Sequence, residues 1–407
     1  MTANQIEKSG TGTAPGGNWV EVLAVFLRLG LTSFGGPIAH LGYFRDELVV
    51  RRKWLDESAY AELVALCQFL PGPASSQVGF SLGLLRAGGL TGGLAAWAAF
   101  TLPSALFMVA FAYGAAAFRG TVGAGLIHGL KLVAVAVVAQ AVWGMAQRLA
   151  PDRQRAGIAL GAVLIVVVAA TAIGQIAAIA LGAIAGLVLC RAEDTEERGS
   201  LSFPIRRASG IAALTLFVVC LVLPPLLAAG SQPLALFGAF YRSGALVFGG
   251  GHVVLPLLQT EVVRPGWVGS DAFLAGYGAA QAVPGPLFTF AAYLGAVMQP
   301  EPNGLAGATI ALVAIFLPGL LLVYGTLPFW DALRVRPGAQ AAMRGTNAAV
   351  VGILAAALYN PVWTSAVLGP RDFALALVGF LLLTIWNTPP WIVVLLLGGA
   401  GLLSSFA

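Results

Sequence analysis

The stretch QFLPGPASSQ, residues 68–77, interrupts a chain that is otherwise mostly apolar, and its syntax returns at residues 281–290 as QAVPGPLFTF. Proline fixes φ and removes a backbone donor, so two prolines around a glycine break a helix. The chain has 407 residues, of which 58% are hydrophobic and 10% charged, whereas ordinary soluble domains carry about 25% charge. A membrane-spanning helix needs about 20 apolar residues. Strong apolar runs occur at 20–31, 90–118, 130–143, 158–190, 211–229, 305–327, 348–358 and 373–403. Together they predict an all-α polytopic membrane protein. A β-barrel would show alternating segments of about ten residues, and the sequence has none. The question is why such a protein breaks its helices twice with the same residues.

The breaks are duplicated because the whole unit is duplicated. FLRLGLTSFGG at 26–36 matches FYRSGALVFGG at 240–250, so Arg28 falls on Arg242, an offset of 214 residues. Glu47 falls on Glu261 and, after a one-residue slip, Trp54 on Trp267, Gln68 on Gln281 and Pro71-Gly72-Pro73 on Pro284-Gly285-Pro286. TLP at 101–103 then meets FLP at 316–318, and RAGIALG from Arg155 meets RDFALAL from Arg371. The matches are collinear and fall on Gly, Pro, Arg and Gln. The predicted organisation is a polar, disordered tail over 1–18, a first repeat over 19–191, a charged linker with one unpaired apolar helix over 192–232, and a second repeat over 233–407. Duplicated halves with broken helices are the sequence signature of a secondary transporter, whose substrate sits near the midplane against half-helix ends. Irregular backbone is tolerated at that depth only where it lines a cavity or is buried in protein.

Arg and Lys concentrate at 45–53, 148–155 and 191–207. By the positive-inside rule these segments are cytoplasmic. A simple span count makes the repeats parallel. They become inverted if one element per repeat is re-entrant, and the PGP hairpin is the obvious candidate.

The helix after Pro71 and Pro73 would present free N–H groups and side chains at Ser75, Ser76 and Gln77, and a helix N-terminus of this kind favours anions. The second copy, around Pro284, Gly285 and Pro286, offers Thr289 instead, so the two are unequal. A kink that serves packing alone is the plainer alternative. Gly35-Gly36 and Gly249-Gly250 would unwind the first helix of each repeat; the alternative is a close helix crossing. Arg28 and Arg242 lie inside apolar segments, where a charge is costly and suggests function. Their guanidinium forks suit oxyanions, although an arginine near a helix end can also snorkel. Glu47 and Glu261 are coupling candidates or surface ion-pair partners. Lys131 is a weaker anion contact. His40 and His252 lie near the Gly-Gly breaks without aligning, which favours structural roles. No Walker A motif is present. The three histidines are scattered and the three cysteines show no paired spacing, so no metal, disulfide or cofactor is expected. The net charge of +5 fits basic cytoplasmic loops and is not read as nucleic-acid binding.

Residues 34–103, from FGGPIAHLGYF to AAFTLP, resemble the N-terminal domain of the chromate ion transporter family, and FGGGHVVLPLLQ through FTFAAYLGA, residues 248–296, resemble its C-terminal domain. The resemblance covers nearly the whole chain after the first eighteen residues or so. It implies efflux of chromate across a bacterial inner membrane, with chromate resistance as the result, and two domains of opposite orientation. It does not say which residues hold the ion. Sulfate, with the same charge and shape, is the expected competitor. A sulfate or general oxyanion permease and an anion channel stay open as alternatives, as does a homodimer. A membrane-embedded chromate reductase would need a redox site that the sequence lacks.

Overall fold

The computed structural model describes residues 16–117, 121–169, 171–190, 203, 205–228, 230–330 and 336–404. Most of the predicted tail and of the charged linker lies outside these residues. Within them the regular elements are all helical. The first half contains α1 (Trp19–Thr32), α2 (Gly36–Phe44), α3 (Glu57–Phe69), α4 (Ala74–Ala87), α5 (Leu90–Ala117), α6 (Thr121–Leu149), α7 (Arg153–Val168) and α8 (Ala172–Leu189). Next comes α9 (Arg207–Leu227), the unpaired helix. The second half repeats the order with α10 (Gln232–Ala245), α11 (Val254–Leu258), α12 (Ser270–Ala280), α13 (Phe290–Val297), α14 (Gly304–Thr326), α15 (Pro337–Ala357), α16 (Pro370–Thr384) and α17 (Pro390–Ser404). The equivalent π-helical turns Arg45–Arg51 and Gln259–Val263 follow α2 and α11.

Helix length separates two kinds of element. Six helical stretches among the described residues are long and apolar enough to cross a membrane: Leu90–Gly114, Gly123–Leu149, Ala172–Leu189, Arg207–Leu227, Gly304–Phe329 and Pro337–Ala366. By contrast, α1 and α4 have 14 residues and α3 has 13. At 1.5 Å per residue they reach about 20 Å, some two thirds of the hydrocarbon thickness.

These short helices form two hairpins in the first half. Glu21, at the start of α1, pairs with Arg52 after the π-turn and with Arg86 at the end of α4. Arg45 pairs with Glu57 at the start of α3. The open ends of α1–α2 and α3–α4 therefore lie together at one polar end, and their tips are the Gly-Gly and PGP breaks. Helices that begin at this end carry side-chain caps: Asn18 accepts from the N–H of Glu21 and Asp56 from that of Ala59. Those that begin at the breaks, behind Gly35 and Pro73, have no side-chain cap.

Glycine sets the closest packing in both halves alike. The α4–α5 crossing brings Gly83 onto Gly92, and the α13–α14 crossing brings Gly295 onto Gly307. Gly30 of α1 lies against Ala99 and Phe100 of α5, and Gly244 of α10 against Ile315 of α14.

The halves also exchange their C-terminal hairpins. Helix α8 packs antiparallel on α15, with Gly182 beside Ala349 and Gly186 beside Ala341. In the reciprocal pair, α17 packs antiparallel on α6, with Gly401 beside Gly125 and Gly398 beside Leu126. His128 of α6 bonds Asp372 at the start of α16, and Gln140 bonds the Leu383 carbonyl further along, so α16 runs parallel to α6.

A side chain at Gly83 must displace the backbone of Gly92, whereas a Cβ at Gly144 meets nothing within 4 Å. Gly83→Val is expected to cost about 1–3 kcal/mol through overpacking, and Gly144→Ala to be neutral or slightly stabilising. Thermal unfolding of the purified protein in detergent checks both.

Candidate functional site

The four breaks meet, and they do so reciprocally. The Gly72 N–H of the first PGP donates to the Val247 carbonyl at 2.7 Å, and the Gly285 N–H of the second donates to the Ser33 carbonyl at 2.9 Å. Ser33 and Val247 are themselves repeat equivalents, each directly before its Phe-Gly-Gly. The PGP tip of each half is thus tied to the Gly-Gly tip of the other.

Each PGP tip also rests on the proline-bearing middle of the other half's fifth helix. A Cβ on Gly72 would come within 3.0 Å of the Gly319 Cα, next to Pro318 of α14. A Cβ on Gly285 would come within 2.8 Å of the Ser104 Oγ, next to Pro103 of α5. The φ values are +124° and +100°, in the left-handed region that glycine reaches without penalty. Gly35, Gly36, Gly249 and Gly250 have positive φ too. A Cβ on Gly251 would lie 3.3 Å from the Pro37 Cγ, so the two Gly-Gly tips adjoin.

The chemistry of the junction is one-sided. On the first-half side, Ser33, His40, Ser75, Ser76, Gln77, Thr101 and Ser104 are all buried. His40 Nδ1 lies 3.4 Å from the Ser75 Oγ, and its ring packs edge-on to Phe100 with centroids 5.3 Å apart. Gln77 donates to the carbonyls of Pro71 and Gly319, 3.0 Å each, and so ties the first PGP to α14. Five atoms here are buried without a hydrogen-bond partner: Ser33 Oγ, His40 Nε2, Ser76 Oγ, Gln77 Oε1 and Thr101 Oγ1. Burying such groups unpaired costs roughly 1–3 kcal/mol each, which marks the cluster as a place for a polar occupant. The equivalents in the second half are Val247, Val254, Phe288, Thr289, Phe290, Phe316 and Gly319. Thr289 satisfies its hydroxyl on the Pro286 carbonyl at 2.9 Å.

The sequence-predicted residues divide accordingly. Gly35, Gly36, Pro71, Gly72, Pro73, Ser75, Ser76, Gln77, Gly249, Gly250, Pro284, Gly285, Pro286 and Thr289 are on or beside the junction. Two of the three predicted cations are engaged by carboxylates. Arg242 makes a two-pronged pair with Glu261, Nε to Oε1 at 3.1 Å and a terminal nitrogen to Oε2 at 2.6 Å. Lys131 bonds Asp271 at 2.8 Å. Arg28 is exposed on α1, and its guanidinium has no partner among the described residues. Glu47, in the basic segment at the polar end, is bonded by Arg51 at 2.9 Å and Arg52 at 2.7 Å. Partial burial pushes its carboxyl up, but these two arginines outweigh that and hold it below the usual carboxylate range. Its arginine neighbours have no counterpart beside Glu261, which is why the two acids pair differently.

Of the buried polar residues at the junction, Ser33, Thr101 and Ser104 were not singled out from the sequence, and His40 was given a structural role. Sequence reasoning weighted residues that match between repeats, and these four do not. The polarity of SFGGPIAH and TLPS against VFGGGHVV and FLPG was the available signal.

The chromate transporter family model matches residues 20–187 and 234–402, one match per repeat. The chain belongs to this family. It is 28% identical to the chromate transport protein of Pseudomonas aeruginosa over 83% of this chain and 80% of that protein. It is likewise 28% identical to the chromate transport protein of Cupriavidus metallidurans over 85% of this chain and 83% of the other. The uncharacterized transporter YwrB of Bacillus subtilis is 32% identical over 39% of this chain, which is 81% of YwrB. No solved structure shows significant similarity to the chain.

Removing one partner of the Arg242–Glu261 pair strands the other, whose side chain is 14% exposed. Arg242→Met is expected to cost about 2–5 kcal/mol, and the double change Arg242→Met with Glu261→Leu to recover most of it. Membrane abundance and thermal unfolding of the three proteins decide the point.

Proposed function

We propose that this chain exports chromate, a divalent tetrahedral oxyanion, across a bacterial inner membrane by alternating access around the junction. The observation that carries the reading is the reciprocal bonding of the four tips, Gly72 to Val247 and Gly285 to Ser33. It sets uncapped helix starts and unpartnered polar atoms beside each other in the middle of an apolar body. Secondary transporters bind their substrates in such surroundings. The relatives named for chromate transport supply the ion.

The same geometry supports inverted repeats with re-entrant hairpins. The hairpins of the first half open at one polar end and meet those of the second tip to tip. Leu368 and Asp372, just past the helical stretch Pro337–Ala366 that contains α15, sit beside His128 near the start of α6. A Cβ on Gly249 would contact Met145 and Leu149, near the end of α6, and lie 3.5 Å from Asn347, in the first half of the stretch Pro337–Ala366. The equivalent helices α6 and α15 therefore run in opposite directions. A single extra crossing at α9 between the repeats fits inversion as well. The positive-inside rule puts the arginine-rich end of the first half in the cytoplasm.

Transport outward needs no further energy source. Each elementary charge moving down the membrane potential gains about 2.3 kcal/mol per 100 mV, so a dianion gains about 4.6 kcal/mol, more than a thousandfold in concentration at about 1.4 kcal/mol per tenfold. Selectivity is the harder requirement. A closed site with buried donors rejects other solutes better than an open pore. Nothing in the donor set distinguishes chromate from sulfate by charge or shape, so a general dianion carrier is the competing reading.

Everted membrane vesicles decide between them. Protein-dependent uptake of chromate is the expected result, and weak inhibition by excess sulfate would favour a chromate-selective carrier. Strong inhibition by sulfate would favour the general carrier, and absence of protein-dependent flux would overturn the transport reading.

A further inference from the structure

The two tips differ in what they can hold. On the first-half side stand the Ser33, Ser76 and Thr101 hydroxyls and the Nε2 atom of His40, all buried without partners, with Ser75 and Ser104 beside them. The residues that take these six places in the second half are Val247, Thr289, Phe316, Val254, Phe288 and Gly319. Four of them are apolar side chains, and Phe288 and Phe316 pack on each other with centroids 5.7 Å apart. The other histidine near the breaks is already satisfied, since His252 Nδ1 lies 2.6 Å from the Tyr277 hydroxyl.

We propose that the chain holds one oxyanion rather than two, on the first-half side of the junction, and that His40 is the side chain that contacts it alongside the uncapped start of α4. This rests on the transport reading above and names its binding residues.

Three observations carry the inference. First, His40 is fully buried, yet one ring nitrogen has no partner while the other faces Ser75, on the first turn of α4. In the tautomer whose Nδ1 accepts from the Ser75 hydroxyl, the neutral ring carries its proton on Nε2 and donates there, as the protonated ring also does. Second, α4 begins behind Pro73 without a side-chain cap, so the N–H groups of its first turn are open toward the same place, where an anion is favoured. Third, Lys131 and Arg242 are held by carboxylates and Arg28 is exposed on α1. The anion is therefore held by dipoles, hydroxyls and one imidazole, donors that leave it free to depart again.

The test is equilibrium binding of radiolabelled chromate to the purified full-length protein in detergent, with thermal unfolding as the check on folding. The expected stoichiometry is one ion per chain. His40→Leu and Ser76→Ala should each weaken binding by about tenfold or more, the worth of a hydrogen bond to a charged group. His40→Gln, which keeps an N–H donor, should lie nearer the wild type, and His252→Leu should stay within about threefold of it. If His40→Leu misfolds, Ser76→Ala and His40→Gln carry the test. Two ions per chain, wild-type affinity in His40→Leu or in Ser76→Ala, or equal losses in His252→Leu and His40→Leu, would overturn the proposal while leaving the transport reading intact. Failure of the folded wild type to bind chromate would overturn both.

Discussion

Two backbone hydrogen bonds govern the structure, Gly72 to Val247 and Gly285 to Ser33. Inside a bilayer, an unpaired N–H or carbonyl costs several kcal/mol because no water is there to replace the lost partner. A chain that breaks four helices at mid-depth exposes such groups four times over. Each half solves the problem with the other's break: the PGP glycine supplies the donor, and the residue before Phe-Gly-Gly supplies the acceptor. Neither PGP glycine gives its N–H to its own half. The exchange of C-terminal hairpins, α7–α8 onto α15 and α16–α17 onto α6, then wraps the pair from outside. Duplication of the motif and contact between the copies are thus one constraint.

Symmetry of the backbone permits asymmetry of the side chains. Once the tips are fixed by main-chain bonds and glycine packing, the residues facing the junction are free to diverge. One side became polar and the other filled with phenylalanine and valine. The cations diverged as well. Arg242 found Glu261, whereas the matched pair Arg28 and Glu47 is split, because Arg51 and Arg52 occupy Glu47. The ion pairs lie toward the ends of the short helices and around the first turns of α6, and the junction itself is built from neutral groups. That division suits a carrier, which must bind a dianion and also release it.

The sequence disclosed the scaffold better than the site. Composition was enough for the membrane class, since 58% hydrophobic residues cannot be hidden in a soluble core. Glycine and proline were enough for the breaks, because few other residues tolerate positive φ or end a helix so sharply. What stayed hidden was contact between distant residues. A match between Arg28 and Arg242 gives equivalent positions but not equivalent partners. His40 was set aside because it faces Val254 in the repeat. Its significance appears only when Ser75 from the next hairpin and Phe100 from α5 close around it. The span count treats each apolar run as one crossing and makes the repeats parallel, whereas the hairpin reading proposed above makes them inverted. The two readings part at α1, α3 and α4, whose 13 or 14 residues are short for a crossing.

The central claim is that the two halves reach the junction from opposite faces of the membrane. Single cysteines at Lys53→Cys and Arg264→Cys, in a protein whose Cys67, Cys190 and Cys220 are replaced, would be treated with a membrane-impermeant thiol reagent in right-side-out and everted vesicles. The account predicts that Lys53→Cys reacts only in everted vesicles and Arg264→Cys only in right-side-out ones. Reaction of both from the same face would contradict it.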